Sequence, residues 1–245
     1  MKILAKVAYK GTNYIGWQVQ PKGKSVQGVI EQKLSKILNT PTTIYASGRT
    51  DSGVHALGQA FHFEVFKEVE LDKLKYSLNC LLPKDIHILS LEFVDDDFHA
   101  RFSAKSKTYE YRLYLGEESP FNTEYVYTFL RPLDLSRIQN GISLFLGTHD
   151  FKDFTSKEED EDNYIRTIES VDYKYDRNTK VATLRFKGNG FMRYQIRDMV
   201  GTLIAIAEGK ESLEYINYHL KENKQREIVP YKAPSEGLYL VEVEY

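Results

Sequence analysis

The 245 residues include one cysteine, one tryptophan and three methionines, and no apolar run approaches the ~20 residues that a membrane-crossing helix requires. Cys80, alone, closes no intramolecular disulfide and builds no cysteine-rich zinc site. Excess charge of either sign is also missing: 33 Lys and Arg stand against 35 Asp and Glu, a net charge of -2. The chain therefore carries no global signature of a polyanion or membrane binder, and any such partner has to be met by local patches. The opening MKILAKVAYK is broken by Lys2, Lys6 and Lys10, which excludes the apolar core of a secretory leader. His55, His62, His87 and His99 have no metal-ligand spacing with carboxylates, so no metal is assigned. No Gly-x-Ser-x-Gly elbow is present. These absences fit a soluble protein of the reducing cytoplasm.

What is present is a regular alternation of strand and helix patterns. Ile3, Ala5, Val7 and Tyr9 alternate as a half-buried strand, and Val26, Val29, Ile30, Leu34, Ile37 and Leu38 follow helical spacing with Ser25 as N-cap. Thr42 to Ala46 and Phe61 to Val65 read as strands, Leu71 to Leu82 as a helix stopped by Pro83, and Ile86 to Val94 as a fourth strand. Cys80, within that helix, reads as a core residue. The order β-α-β-β-α-β is the split βαβ, ferredoxin-like arrangement. After residue 104 the theme repeats: a strand from Lys107 to Leu115, a helix with Leu135, Ile138, Ile142 and Phe145 inward, and a hairpin joining Ile168–Tyr175 to Val181–Lys187. An amphipathic helix from Met192 to Glu208 and a closing strand from Leu238 to Tyr245 follow. The expected class is α+β, with ferredoxin-like halves at 1–104 and 105–245 sharing an extended, mainly antiparallel sheet with a central cleft.

The densest segment is ASGRTDSGVHALGQAFHFE, residues 46–64. A strand breaks at Gly48, carries Arg49, Thr50 and Asp51 through a tight loop, and resumes after Gly53. Glycines let the chain turn sharply and let a ligand approach the backbone, so the loop could present Asp51 at an opening. Taken alone, Arg-Thr-Asp reads equally as an Asx-type turn with a surface Arg49–Asp51 pair.

Gly48 to Ala56 resembles the signature loop of the tRNA pseudouridine synthase A family. Four further blocks are similar in the same order: Tyr14–Gln20, Phe98–Ala104 followed by Lys107-Thr108-Tyr109, Gly190–Met192 through Ile196–Gly201, and Ala233–Leu238. The resemblance implies isomerisation of uridine to pseudouridine in the anticodon stem-loop of tRNA, typically at positions 38 to 40, without metal or organic cofactor. The reaction breaks the N1–C1′ bond, turns the uracil and rejoins it through C5. In that reading Asp51 is the catalytic carboxylate, acting as nucleophile or as the base that gives a glycal, and both routes require its ionised form. Arg197 matches the arginine partner of the aspartate, and Tyr109 the tyrosine that stacks on the target base. Without the resemblance, Arg197 is a solvated helix charge beside an apolar stripe and Tyr109 is one of 18 tyrosines.

A nucleotide in or beside a stem must be flipped out to reach a carboxylate, which calls for grips on the RNA backbone. Arg49, His55, Arg101 and Lys107 are the candidate substrate contacts, with Lys22, Lys24, Lys105, Arg185 and Lys187 as further cations. The acidic run Glu158–Asp162 reads as a loop held away from RNA. The family further implies a homodimer. Two alternatives stand beside the isomerase: an RNA-binding relative without chemistry, and a nucleoside or glycoside hydrolase. The second lacks an obvious carboxylate pair, Glu64 being the nearest downstream acid and on a different strand.

Overall fold

The structure, a computed structural model, describes residues 1–156, 163–222 and 225–245. The acidic run at 158–162 lies outside the described residues. The chain is a mixed α/β protein with five α-helices among those residues, and it divides into two compact units, Met1–Lys105 with Tyr239–Tyr245, and Ser106–Leu238.

In the first unit the order is β1 (Lys2–Tyr9), α1 (Val26–Leu38), β2 (Tyr45–Ala46), β3 (His55–Glu64), α2 (Leu71–Leu81) and β4 (Ile86–Val94). β1 lies between β4 and β3 and is antiparallel to both, with Ile3 opposite Phe63 and Phe93. α1 starts where Ser25 Oγ accepts the Gly28 amide at 3.2 Å and stops at Asn39 in a left-handed C-cap, and it buries Val26, Ile30 and Leu34. α1 packs on α2, and α2 packs on β4. The expected strand from Thr42 shrinks to Tyr45–Ala46. Thr42 instead turns back to the helix, its amide donating to Ser35 Oγ at 2.9 Å. Cys80 is exposed, which corrects its reading as core: Leu74 and Leu78 hold the buried face of α2, and a residue two positions past Leu78 turns away from it.

The second unit runs β5 (Ser106–Tyr114), β6 (Tyr127–Thr128), α3 (Leu135–Ile142), β7 (Gly147–Asp150), β8 (Ile165–Asp176), β9 (Val181–Gly188), α4 (Gln195–Ala207) and α5 (Leu213–His219). Its strand order is β5-β9-β8-β7, all antiparallel, with β6 added in parallel to β5. α3 packs against α4 and β8, and α5 against α3. The periodicity predicts α4 as amphipathic. In the structure twelve of its thirteen residues are buried and only Arg197 is half-exposed, which makes α4 a central helix of its unit.

The last strand, β10 (Leu238–Glu244), corrects the expected second half at 105–245. Tyr239 and Leu240 pair in parallel with His55 and Ala56 of β3, so the final residues complete the first unit. Close backbone approach explains the pairing: Gly58 leaves no room for a Cβ, which would lie 2.5 Å from the Val241 carbonyl oxygen.

Candidate active site

Asp51 is half-buried in the loop between β2 and β3. Its neighbours are tied down on both sides. The buried Thr50 shares a 2.7 Å hydrogen bond with the Tyr9 hydroxyl, and its carbonyl accepts the Trp17 amide at 3.1 Å. Ser52 Oγ donates to the Tyr14 carbonyl at 3.2 Å, and the Val54 amide donates to the Asp51 carbonyl at 3.2 Å. The Tyr14–Gln20 stretch and the signature loop are thus one structure. Gly16, at φ 113°, makes it possible: a Cβ there would sit 2.7 Å from the Thr50 oxygen. Gly53 takes φ 80° at the turn.

Beneath the loop the buried Gln59 accepts from Ser47 Oγ at 2.7 Å and donates to the Gly48 carbonyl at 3.0 Å, fixing the point where the strand breaks. Tyr9 and Trp17 pack with ring centroids 5.8 Å apart, and Trp17 lies 5.9 Å from Phe61. Burial pushes the Tyr9 hydroxyl well above the usual phenol range, so it stays a neutral hydrogen-bonding group. Gln59, Tyr9 and Thr50 were not singled out from sequence. The one signal for Gln59 was a polar residue between Gly58 and Ala60, just before the apolar alternation of Phe61 and Phe63.

His55 is corrected as a substrate contact. Its side chain is 2% exposed, its Nδ1 accepts the Gly11 amide at 3.0 Å, and its ring stacks on Tyr239 at 4.7 Å. It fastens β10 and the N-terminal loop to β3. Arg49 is exposed, as are Lys22, Lys24 and Lys105. Arg101 is exposed with its guanidinium 5.6 Å from the Phe102 ring, and Lys24 lies 4.8 Å from the Tyr14 ring.

In the second unit Tyr109 lies on β5 opposite Phe186, 8% exposed, with the Phe191 ring edge-on at 5.3 Å. Lys107 is the second residue of the same strand, opposite Gly188. Arg197 is fixed from the closing turn: its Nε donates to the Ala233 carbonyl at 2.7 Å, and the Ala233 amide donates back to the Arg197 carbonyl at 2.9 Å. Tyr111 Oη reaches the Pro234 carbonyl at 2.9 Å, and Gly237 packs so closely that a Cβ would lie 2.7 Å from the Tyr111 ring. Burial raises the Tyr111 hydroxyl pKa, with the Glu236 charge adding to it. Arg185 is engaged within its own sheet. It pairs at 2.6 Å with Glu110, which also holds Arg112 at 2.8 Å. Burial pushes the Glu110 carboxyl up, and the two guanidiniums reverse that, leaving it below the ordinary carboxylate range.

Among the described residues no group of three or more His, Cys, Asp or Glu side chains could hold a metal ion, and no helix is long and apolar enough to cross a membrane.

A family model described as tRNA pseudouridine synthase matches residues 5–103 and 142–245. The chain belongs to the tRNA pseudouridine synthase family. Both Asp51 and Arg197 fall inside the matched stretches of that family, and Tyr109 falls between them. The tRNA pseudouridine synthase A of Streptococcus gordonii is 40% identical over 243 residues, covering 98% of this chain and 97% of the relative. That of Streptococcus pneumoniae strain 70585 matches with the same identity and coverage. A chain of a solved Cbf5-Nop10-Gar1 complex is similar at 13% identity and a TM-score of 0.36, over 83% of this chain and 54% of that one, a likeness too remote to define any detail of the fold.

Proposed function

We propose that this protein isomerises uridine to pseudouridine in the anticodon stem-loop of tRNA, at positions 38 to 40, with Asp51 as the catalytic carboxylate. The observation that carries the reading is the Asp51 loop itself. Thr50 is locked to Tyr9 and Trp17 and Ser52 to Tyr14, while Asp51 between them is only half-buried. A fixed backbone with an accessible acid suits a group that must meet C1′ of a flipped nucleotide, because positioning is achieved before the substrate arrives.

The chemistry is redox-neutral. The N1–C1′ bond breaks, the uracil rotates, the C5–C1′ bond forms, C5 loses its proton to solvent and N1 gains one. Asp51 either forms a transient bond to C1′ or removes a sugar proton to give a glycal. Tyr109 offers its ring to the extruded base, a contact of about 1–3 kcal/mol. Arg197 supplies a fixed cation, and Arg49, Arg101 and Lys107 contact the RNA backbone. Each half is read as a split βαβ unit, and the enzyme works as a cytoplasmic homodimer without metal or organic cofactor.

The test uses tRNA carrying tritium at uridine C5. Wild-type protein releases tritium to water with the base retained, and Asp51→Ala lowers that rate by about 10³-fold or more while still binding tRNA. Free uracil in place of retained base would make it a hydrolase. Binding without release from any anticodon stem-loop would leave an RNA-binding relative.

A further inference from the structure

Arg193, Arg197 and Lys232 gather around a single ring. The Arg193 guanidinium lies 4.8 Å, the Arg197 guanidinium 5.3 Å and the Lys232 ammonium 4.0 Å from the centroid of Tyr194. Arg193 also donates to the Tyr194 hydroxyl at 3.0 Å. Three like charges on one aromatic side chain repel one another, and the ring quadrupole offsets that only in part. Among the described residues no carboxylate lies within ion-pair distance of any of the three.

The arrangement is fixed rather than incidental. Tyr194 stands at φ 64°, a left-handed conformation unfavourable for a residue with a Cβ, immediately before α4. Thr155 Oγ1 holds the Arg193 carbonyl at 2.9 Å, and Arg197 and Ala233 exchange two hydrogen bonds. Gly201 lets the Lys232 backbone close onto α4, since a Cβ there would lie 2.7 Å from the Lys232 nitrogen. A strained residue surrounded by held cations that no described carboxylate pairs has the character of a site for an anion.

We infer that Arg193, Tyr194 and Lys232, with Arg197, form a phosphate clamp that grips a phosphodiester of the tRNA backbone. The inference rests on the RNA-isomerase reading and assigns to it a specific contact. Guanidinium forks match phosphate oxygens, and Lys232 adds a point charge. Free inorganic phosphate presents the same oxygens, so the two sources are separated by experiment. Arg193 and Lys232 are exposed and lie outside the proposed catalytic set, so Arg193→Gln and Lys232→Gln are the test variants.

Affinity for an anticodon stem-loop is measured from about 50 to 200 mM salt, where each neutralised phosphate contributes roughly 0.7–0.9 to the log–log slope. The double variant is expected to lose about one such unit of slope and to bind about tenfold more weakly at low salt. Its tritium release at saturating tRNA stays at the wild-type rate and its melting temperature is unchanged. Unaltered slope and affinity would show the cations to be merely solvated and overturn the clamp. So would a fall in saturated rate with unaltered affinity. If inorganic phosphate binds wild type but not the double variant while the two bind the stem-loop with the same affinity and salt slope, the clamp is a free-phosphate site and the RNA assignment fails. A wild type that shows the slope difference yet releases no tritium would sink the isomerase and leave the clamp standing.

Discussion

Asp51 and Arg197 are held in place by opposite means. Asp51 sits on a loop fixed by close backbone approach. Gly16 lies against Thr50, and Tyr9, Trp17 and Tyr14 bond to the residues on either side of the carboxylate. Arg197 sits on a helix fixed by burial, the one residue of α4 that is not buried, tied to a turn that arrives from 36 residues downstream. The first construction tolerates almost no added atoms but needs only short-range sequence. The second tolerates surface change but depends on distant segments docking correctly.

Breaking the second construction is expected to have the largest effect. Asp153 is fully buried, bonds His219 at 2.7 Å and accepts the Glu227 amide at 2.8 Å, and its backbone carbonyl accepts the Val229 amide at 3.0 Å. It anchors the segment that leads to Ala233. Asp153→Ala removes one partner of a buried pair and is expected to cost about 3–5 kcal/mol, measured by denaturant unfolding. In the first unit Gly16→Ala adds a Cβ against the Thr50 oxygen at φ 113° and is expected to cost about 3 kcal/mol, with tritium release falling further than stability does. A loss of stability with full activity in the remaining folded protein would show that the loop does not need this packing.

The acid response sharpens the contrast within the first unit. His62 is 3% exposed and accepts the Ala100 amide on Nδ1 at 3.1 Å; burial, with His99 nearby, lowers its pKa from 6.5 to about 4. The unfolded chain therefore takes up a proton near pH 6.5 that the folded chain resists until about pH 4, and stability falls as pH drops through that window. Wild type is expected to lose about 2 kcal/mol between pH 7 and 4.5 through this group, and His62→Gln to flatten that slope. Gln59→Leu, which removes the bonds that Gln59 makes to the Ser47 hydroxyl and the Gly48 carbonyl, is expected to cost about 1–2 kcal/mol and to slow tritium release. Gly190→Ala is the smallest change. Among the described residues no atom beyond its chain neighbours lies within 4 Å of its added Cβ, and stability is expected to change by less than about 0.5 kcal/mol despite its place in a family-like block.

Much of this was legible because its causes are local. Ser25 marks the start of α1, Pro83 follows the end of α2, and β4 occupies Ile86–Val94 as the alternation predicts. The signature loop was readable because its glycines and its acid are contiguous. What escaped were short elements and long-range pairs. α5 has seven residues, and β7 four, three of them polar, too few for a period to emerge. The burial of α4 was hidden in part because Thr202, a polar residue, is satisfied within the helix, donating to the Asp198 carbonyl at 2.9 Å. Asp153 and His219 meet across 66 residues, and nothing near either one announces the other. His55 was misread for a related reason: its loop named it, but its burial is set by Tyr239, which the sequence places in the other half.

The return of Tyr239–Tyr245 to the first unit bears on the order of assembly. During synthesis the β1–β4 sheet emerges first, yet the strand that pairs with His55 and Ala56 follows every residue of the Ser106–Leu238 unit. The base of the Asp51 loop is therefore among the last parts of the chain to be closed, by contacts of very high sequence separation. Until then β3 presents an unpaired edge at His55 and Ala56, so a nascent chain stalled before Tyr239 would hold the Asp51 loop unfinished.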